Sequence, residues 1–173
     1  ASAAYNEVGG MQLRGSLSVA GLRASLAMIV IRHAVLRTSY EVDDSDGAFM
    51  QRVHSAVDDH SLLHVSASSD DQEAKRLFDE GVRQPFELIG GTSGPMRCIL
   101  FQKQANVQEL QIIIHHVASD GSSWDLLSRE LSVLSRQLAG SHMADAELPA
   151  LRCGSCGGAA ARDLLPGVSD AAV

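Results

Sequence analysis

The chain has 173 residues, enough for one domain with a sizeable core, and 45 % of them are hydrophobic, 4 % aromatic and 20 % charged, an ordinary soluble globular profile. A formal charge of −7 argues against nucleic acid or an anionic membrane as the main partner, because both are polyanions. No apolar run approaches the length of a membrane span, no basic-then-apolar leader is visible, and the 3 cysteines make no disulfide framework, so a reducing cytoplasm is the expected setting.

The sequence opens on Ala1 rather than methionine, as expected of a chain processed or cut from a longer one. Residues 11 to 19, "MQLRGSLSV", alternate apolar and polar and predict a half-buried strand interrupted by Gly15. Ser18 is placed to cap an amphipathic helix in which Leu22, Leu26, Ile29, Val30 and Leu36 recur at helical spacing, ending near Leu36. Thr38, Tyr40 and Val42 then alternate as a strand, "DDSDG" makes a hairpin turn at Gly47, and "FMQRVH" returns as the partner strand. A second helix fits residues 70–83, opened by Asp70 and Asp71, carrying Ala74, Leu77, Phe78 and Val82, and stopped by Pro85.

"PFELIGGTSGP" is a glycine-rich connection, after which "MRCILFQ" and "VQELQIIIHH" flank "KQAN" as a hairpin. A third helix begins at Ser122 or Ser123 and runs to about Leu138, with Leu127, Leu131, Leu134 and Leu138 on one stripe. This mixture predicts an α/β or α+β sandwich, a mixed sheet with flanking helices. The one boundary falls at residue 150, because "LRCGSCGGAAARDLLPGVSDAAV" has no lasting periodicity and reads as a loosely ordered end.

The chemistry concentrates at "IIIHHVASDGSSW", where an isoleucine strand runs into two histidines. Side chains alternate along a strand, so His115 and His116 are expected on opposite faces, one toward packing and one toward a cleft. A strand exit followed by glycine is a rigid mount for a catalytic ring; the alternative is a pair of hydrogen-bonded structural histidines. Asp120 can accept a hydrogen bond from the loop or pair with an arginine elsewhere. The histidines and Cys153/Cys156 supply zinc-type ligands, but the second closely spaced pair of a structural site is missing, so no metal is expected. Ser122 and Ser123 read better as helix caps than as nucleophiles, and Ser119 sits in no Gly-x-Ser-x-Gly elbow. The glycines at 90, 91 and 94 lack the Lys-Ser/Thr of a phosphate loop.

"HHVASDG" resembles the HHxxxDG signature of condensation domains of nonribosomal peptide synthetases, two-lobed relatives of chloramphenicol acetyltransferase. "RHAVLRTSY" is similar to the family's RHExLRTxF motif, with Ala34 for glutamate and Tyr40 for phenylalanine; "YN" with "LRGSLSVAGLRASL", and "QPFELIGGTSGPMRCIL", follow the family's opening and its connection. The resemblance spans residues 5 to 138 and implies a single chloramphenicol acetyltransferase-like lobe, the N-terminal one, over residues 1–150.

By this resemblance His116 faces the active-site tunnel and His115 supports the strand from the other side. Asp120 is structural and pairs with Arg32 or Arg37, and the Gly121 N–H lies near the reacting carbonyl. The implied reaction is attack of an acceptor aminoacyl amine on a donor thioester, each tethered to a carrier protein by phosphopantetheine, with no cofactor bound directly. Other expectations of the resemblance are a truncated lobe that only docks a carrier protein or a complementary lobe, and a coenzyme A-dependent acyltransferase or epimerization domain. A missing second lobe leaves an exposed apolar face, so self-association as a homodimer is expected.

Past "ELPAL" the family's aromatic linker is replaced by "RCGSCGGAAARDLLPG", as a shifted reading frame or an engineered end would produce. A frameshift predicts a family-like linker in another frame of the DNA past codon 150; reading all three frames checks this, and its absence from every frame counts against the shift.

Overall fold

The computed structural model describes residues 2–55, 59–67, 70–104, 106–139 and 152–153. In chain order the elements are β1 (Asn6–Arg14), α1 (Val19–Arg32), a 3-10 turn (Ala34–Arg37), β2 (Thr38–Val42), β3 (Phe49–Val53), the one-turn α2 (Asp59–Leu62), β4 (Leu63–Ser66) and α3 (Asp71–Arg83). β5 (Met96–Gln104), β6 (Val107–His115), a second 3-10 turn (His116–Ala118), α4 (Gly121–Ala139) and β7 (Arg152–Cys153) follow.

Five strands form one mixed sheet in the order β4-β5-β6-β1-β7, parallel only between β4 and β5; β2 and β3 form a separate hairpin. The parallel pair needs a crossover, which α3 supplies between β4 and β5. α1 and α4 pack against one face of the sheet, where Leu22, Leu26, Leu110, Ile112, Trp124 and Leu131 are buried together. The other face carries Ala74, Phe86, Ile99, Phe101 and Ile113, with Leu77, Phe78 and Val82 of α3 partly buried against them. The single α/β lobe expected from the sequence is the fold observed. Each buried Leu or Ile contributes roughly 1.5–3 kcal/mol relative to exposure, so the two apolar layers hold the sheet in place between the helices.

The local signals mostly act as the residue types dictate. Ser18 accepts from the Gly21 N–H at 3.1 Å, and Asp70 accepts from the Gln72 N–H at 2.9 Å, satisfying donors that a helix start leaves unpaired. Gly47 turns the β2–β3 hairpin with φ +73°, a conformation that a Cβ disfavours.

Two expectations need correction, and one strand was not read from the sequence. The first strand begins at Asn6 and ends at Arg14, so Leu17 to Val19 lie outside it. Gly9 and Gly10 blurred its alternation, but nine consecutive pairings with β6, from Asn6↔His115 to Arg14↔Val107, override the weak local pattern. The first helix stops at Arg32, because His33 is extended (φ −101°, ψ 97°) and its ring is bound to Glu130 of α4. β4 carried too short a pattern to be read, and its place is decided by pairing with β5. Of the tail beyond residue 150, only Arg152–Cys153 is among the described residues, paired with Gly10 and Gly9 of β1; Cys156 and the rest of the expected loose end lie outside them.

Gly9 is required by packing. A Cβ placed there would stand 2.5 Å from Cζ3 of the buried Trp124. Gly9→Val is therefore expected to lower stability by about 1–3 kcal/mol through overpacking, measured by urea denaturation; an unchanged midpoint would contradict this packing.

Candidate active site

Alternation along β6 determines where the two histidines go. Leu110, Ile112 and Ile114 enter the α1/α4 layer and Ile113 enters the α3 layer. His115 continues the second set, with its ring centroid 6.3 Å from Phe86, edge-on, and 6.0 Å from Tyr5. His116 begins the 3-10 turn and reaches the first side, where it meets Glu7. The expectation of opposite faces describes this arrangement, though the strand itself ends at His115.

Glu7 sits on β1 opposite Ile114, and its side chain is only 11 % exposed. One carboxylate oxygen, Oε1, lies 2.8 Å from His116 Nδ1. The other, Oε2, accepts from the Ser119 hydroxyl at 2.7 Å and from the Trp124 indole N–H at 3.4 Å. A carboxylate this buried needs such partners, because an unpaired buried charge is costly. His116 in turn is tied to β1 and the residue before it, since its backbone N–H donates to the Tyr5 carbonyl at 2.8 Å.

These contacts put the two imidazoles in different hydrogen-bonding surroundings. The Val117 N–H donates to His115 Nδ1 at 3.1 Å, so the neutral ring carries its proton on Nε2 and can only donate there. Burial first, and the neighbouring His116 second, lower the His115 pKa below the ordinary imidazole value. On His116 the buried carboxylate of Glu7 faces Nδ1. The His116 side chain is 57 % exposed, and its contact with Glu7 is made through Nδ1, not Nε2.

His115 instead lines an open cleft of about 750 Å³ together with Tyr40, Phe49, Phe86, Ile89 and Val117. The resemblance placed His116, not His115, toward the tunnel; the cleft beside His115 is on the opposite face of the sheet from Glu7.

Asp120 pairs with neither Arg32 nor Arg37. Its Oδ1 accepts from the Ser123 N–H at 2.8 Å, the Ser123 hydroxyl at 2.7 Å and the Ser122 hydroxyl at 2.8 Å, while the Asp120 N–H donates back to Ser123 Oγ at 3.1 Å. This is a reciprocal cap at the start of α4, and donors so close in sequence leave no need for a distant arginine. Gly121 opens α4, with nothing within 4 Å of where a Cβ would stand, and its N–H is among those a helix start leaves without an intrahelical partner.

The arginines have other partners. Arg32 Nε is 3.1 Å from Glu130 Oε1, and His33 Nε2 is 2.6 Å from Glu130 Oε2. Arg37 donates to the carbonyls of His54 at 2.6 Å and Ile31 at 3.3 Å. The structure thus brings His116, Glu7, Ser119 and Trp124 together, and keeps Arg32 and Arg37 in separate contacts. Sequence reasoning missed Glu7, whose only signal was a charged residue at an inward-alternating position, and Glu130, which carries none. The "YN" pair also gains a physical role, since Asn6 Nδ2 donates to the carbonyls of Val82 and Gln84 at the end of α3.

Fold and site together define a class, an α/β lobe that holds an imidazole at a strand exit against a buried carboxylate. Residues 1–149 match the family model described as "Condensation domain", and the chain belongs to that family. It is 35 % identical over 123 residues to one protein of the linear gramicidin synthase of Brevibacillus parabrevis, covering 70 % of this chain and 2 % of that protein. Another protein of the same synthase is 35 % identical over 156 residues, 86 % of this chain and 3 % of the relative. Cyclosporin synthetase of Tolypocladium inflatum is 36 % identical over 124 residues, 71 % of this chain and 1 % of the relative.

Among solved structures, the first condensation domain of the calcium-dependent antibiotic synthetase superposes with a TM-score of 0.68 at 22 % identity, over 80 % of this chain and 35 % of that one. The X-domain in complex with OxyB from teicoplanin biosynthesis gives 0.66 at 27 %, over 86 % and 31 %. The chain thus spans about a third of these structures and a few per cent of the synthetases. Among the described residues no helix is long and apolar enough to cross a membrane.

The cap makes a prediction about pH. Hydrogen bonds from Ser123 first and Ser122 second hold the Asp120 carboxyl down to about 2, from an ordinary value of 3.8. A depressed folded-state pKa stabilises above the unfolded value and is lost as pH falls through the folded one. The stability advantage of the wild type over Asp120→Asn should therefore be full above pH ~5 and vanish between about pH 4 and 2. Thermal unfolding of both across that range checks it, and a constant gap would refute the cap's ionic character.

Proposed function

We propose that this chain is the N-terminal lobe of a nonribosomal peptide synthetase condensation domain and that His116 is its general base. The observation that supports this most directly is the His116 ring, with Nδ1 against a buried carboxylate and Nε2 open. In this reading the amine of an acceptor aminoacyl group attacks the thioester carbonyl of the donor. The N–C bond forms as the amine proton passes to Nε2, the C–S bond breaks, and the proton goes on to the departing thiolate. Both substrates arrive on phosphopantetheine arms of carrier proteins, and the protein binds no further cofactor. The Gly121 N–H at the start of α4 is the donor suited to the oxyanion.

A second lobe, or a second copy of this chain, completes the site in this reading. Tyr5, Phe49 and Ile89 are 62 %, 71 % and 64 % exposed, and Phe49 and Ile89 border the cleft beside His115. Apolar residues gathered this way suit a covered surface, though on the His115 face of the sheet rather than beside Glu7. The same residues favour a second reading, a lobe that docks a carrier protein or a complementary lobe without catalysing; the likeness to an X-domain found in complex with OxyB points the same way.

A condensation assay separates the two. Donor- and acceptor-loaded carrier proteins are mixed with the chain, with His116→Ala alongside, circular dichroism confirming folding and intact mass reading the product. General base catalysis predicts that the variant loses about 10²- to 10⁴-fold in rate. Equal product from a folded His116→Ala removes the base assignment, and no product from a folded wild-type chain favours the docking lobe.

A further inference from the structure

We infer that Glu7 is the positioning residue of the site, holding His116 in the tautomer that keeps Nε2 free to take a proton. This rests on the reading of His116 as the base and extends it to a residue of β1 that carried no signature of its own.

The geometry supports a held carboxylate rather than a chance ion pair. Oε2 of Glu7 is engaged by Ser119 Oγ and Trp124 Nε1, so Oε1 is the oxygen left facing His116 Nδ1 at 2.8 Å. Trp124 cannot drift, because it is 2 % exposed and packed on the bare backbone of Gly9, two residues along β1. The backbone of His116 is fixed as well, by its N–H to the Tyr5 carbonyl. The N-terminal segment therefore grips the histidine at both its main chain and its ring, from Tyr5 and Glu7. A free neutral imidazole favours the proton on Nε2, which would occupy the lone pair that the reaction needs. A carboxylate can only accept, so at this position it draws the proton to Nδ1. A serine protease triad uses its aspartate in the same way.

Gln in place of Glu7 tests this with little change of volume. Its carboxamide can present an N–H to Nδ1, which reverses the preference. Nitrogen-15 and proton correlation spectra of the imidazoles of the 173-residue chain, at a pH where the rings are neutral, read the tautomers directly. His116→Ala assigns the signals. The expected result is a proton on Nδ1 for His116 and on Nε2 for His115 in the wild type. In Glu7→Gln, His116 should move to the Nε2 form while His115 stays as it was.

A His116 that is Nε2-protonated in the wild type, or unmoved in a folded Glu7→Gln, overturns the inference. Should Glu7→Gln fail to fold, the wild-type spectrum decides alone. In the condensation assay Glu7→Gln is expected to lower kcat by about 10²-fold or more, with KM for the loaded carriers little changed. A held Nδ1 tautomer combined with undiminished product from both Glu7→Gln and His116→Ala overturns the base reading, and Glu7's part in the reaction with it, while leaving the held ring as a structural fact.

Discussion

The antiparallel pairing of β1 with β6, running unbroken from Asn6↔His115 to Arg14↔Val107, is the constraint on which the rest of this lobe depends. It brings the N-terminal residues to the histidine pair, more than a hundred positions away in sequence. Register decides everything on either side of it. A slip of one residue would turn Glu7 toward α3 and carry Gly9 out from beneath Trp124, because side chains alternate with period two. Burial on both faces makes such a slip costly, since Met11 and Leu13 would leave one apolar layer as Val8 left the other.

Around that pairing the polar groups are organised by scarcity of water. Glu7 is a charge in a mostly apolar layer, and its two oxygens take up one ring nitrogen, one hydroxyl and one indole N–H. The same cluster anchors Trp124 of α4 to β1, so the helix that begins just after the histidines is tied back to the strand beside them. His115 meets a different environment on the other face, against Phe86 and Tyr5, and takes the Val117 N–H instead of a carboxylate. Adjacent residues of one type thereby face opposite kinds of hydrogen-bonding partner.

The helix α4 is held at two points by unlike interactions. At its start, Asp120 is satisfied locally by Ser122 and Ser123, and the charge complements the helix dipole. Farther along, Glu130 takes Arg32 and His33 from the end of α1. Arg32 is 73 % exposed, so its part in that contact is weak, whereas the less exposed His33 is the closer partner. The arginine–histidine pair of "RHAVLRT" thus meets a carboxylate of α4, but not the one its family resemblance indicated.

The chain's own residue order determined the class of fold and the family. The caps at Ser18 and Asp70 and the β2–β3 hairpin around Gly47 act through neighbours a few residues away, and the isoleucine run ending in His115-His116 is legible as a strand from its own composition. The extent of β1 across Gly9 and Gly10, the placing of β4, and the partners of Asp120, Arg32 and Arg37 were decided only in the folded state. The strand pairings and the Arg32–Glu130 and Arg37–His54 contacts join segments distant in sequence, which no window contains, whereas Asp120 is taken up by serines two and three residues on. Glu7 shows the reason most plainly. In sequence it is a lone acidic residue among small and apolar ones, and only the β1–β6 register, which sets it beside His116, gives its charge a function.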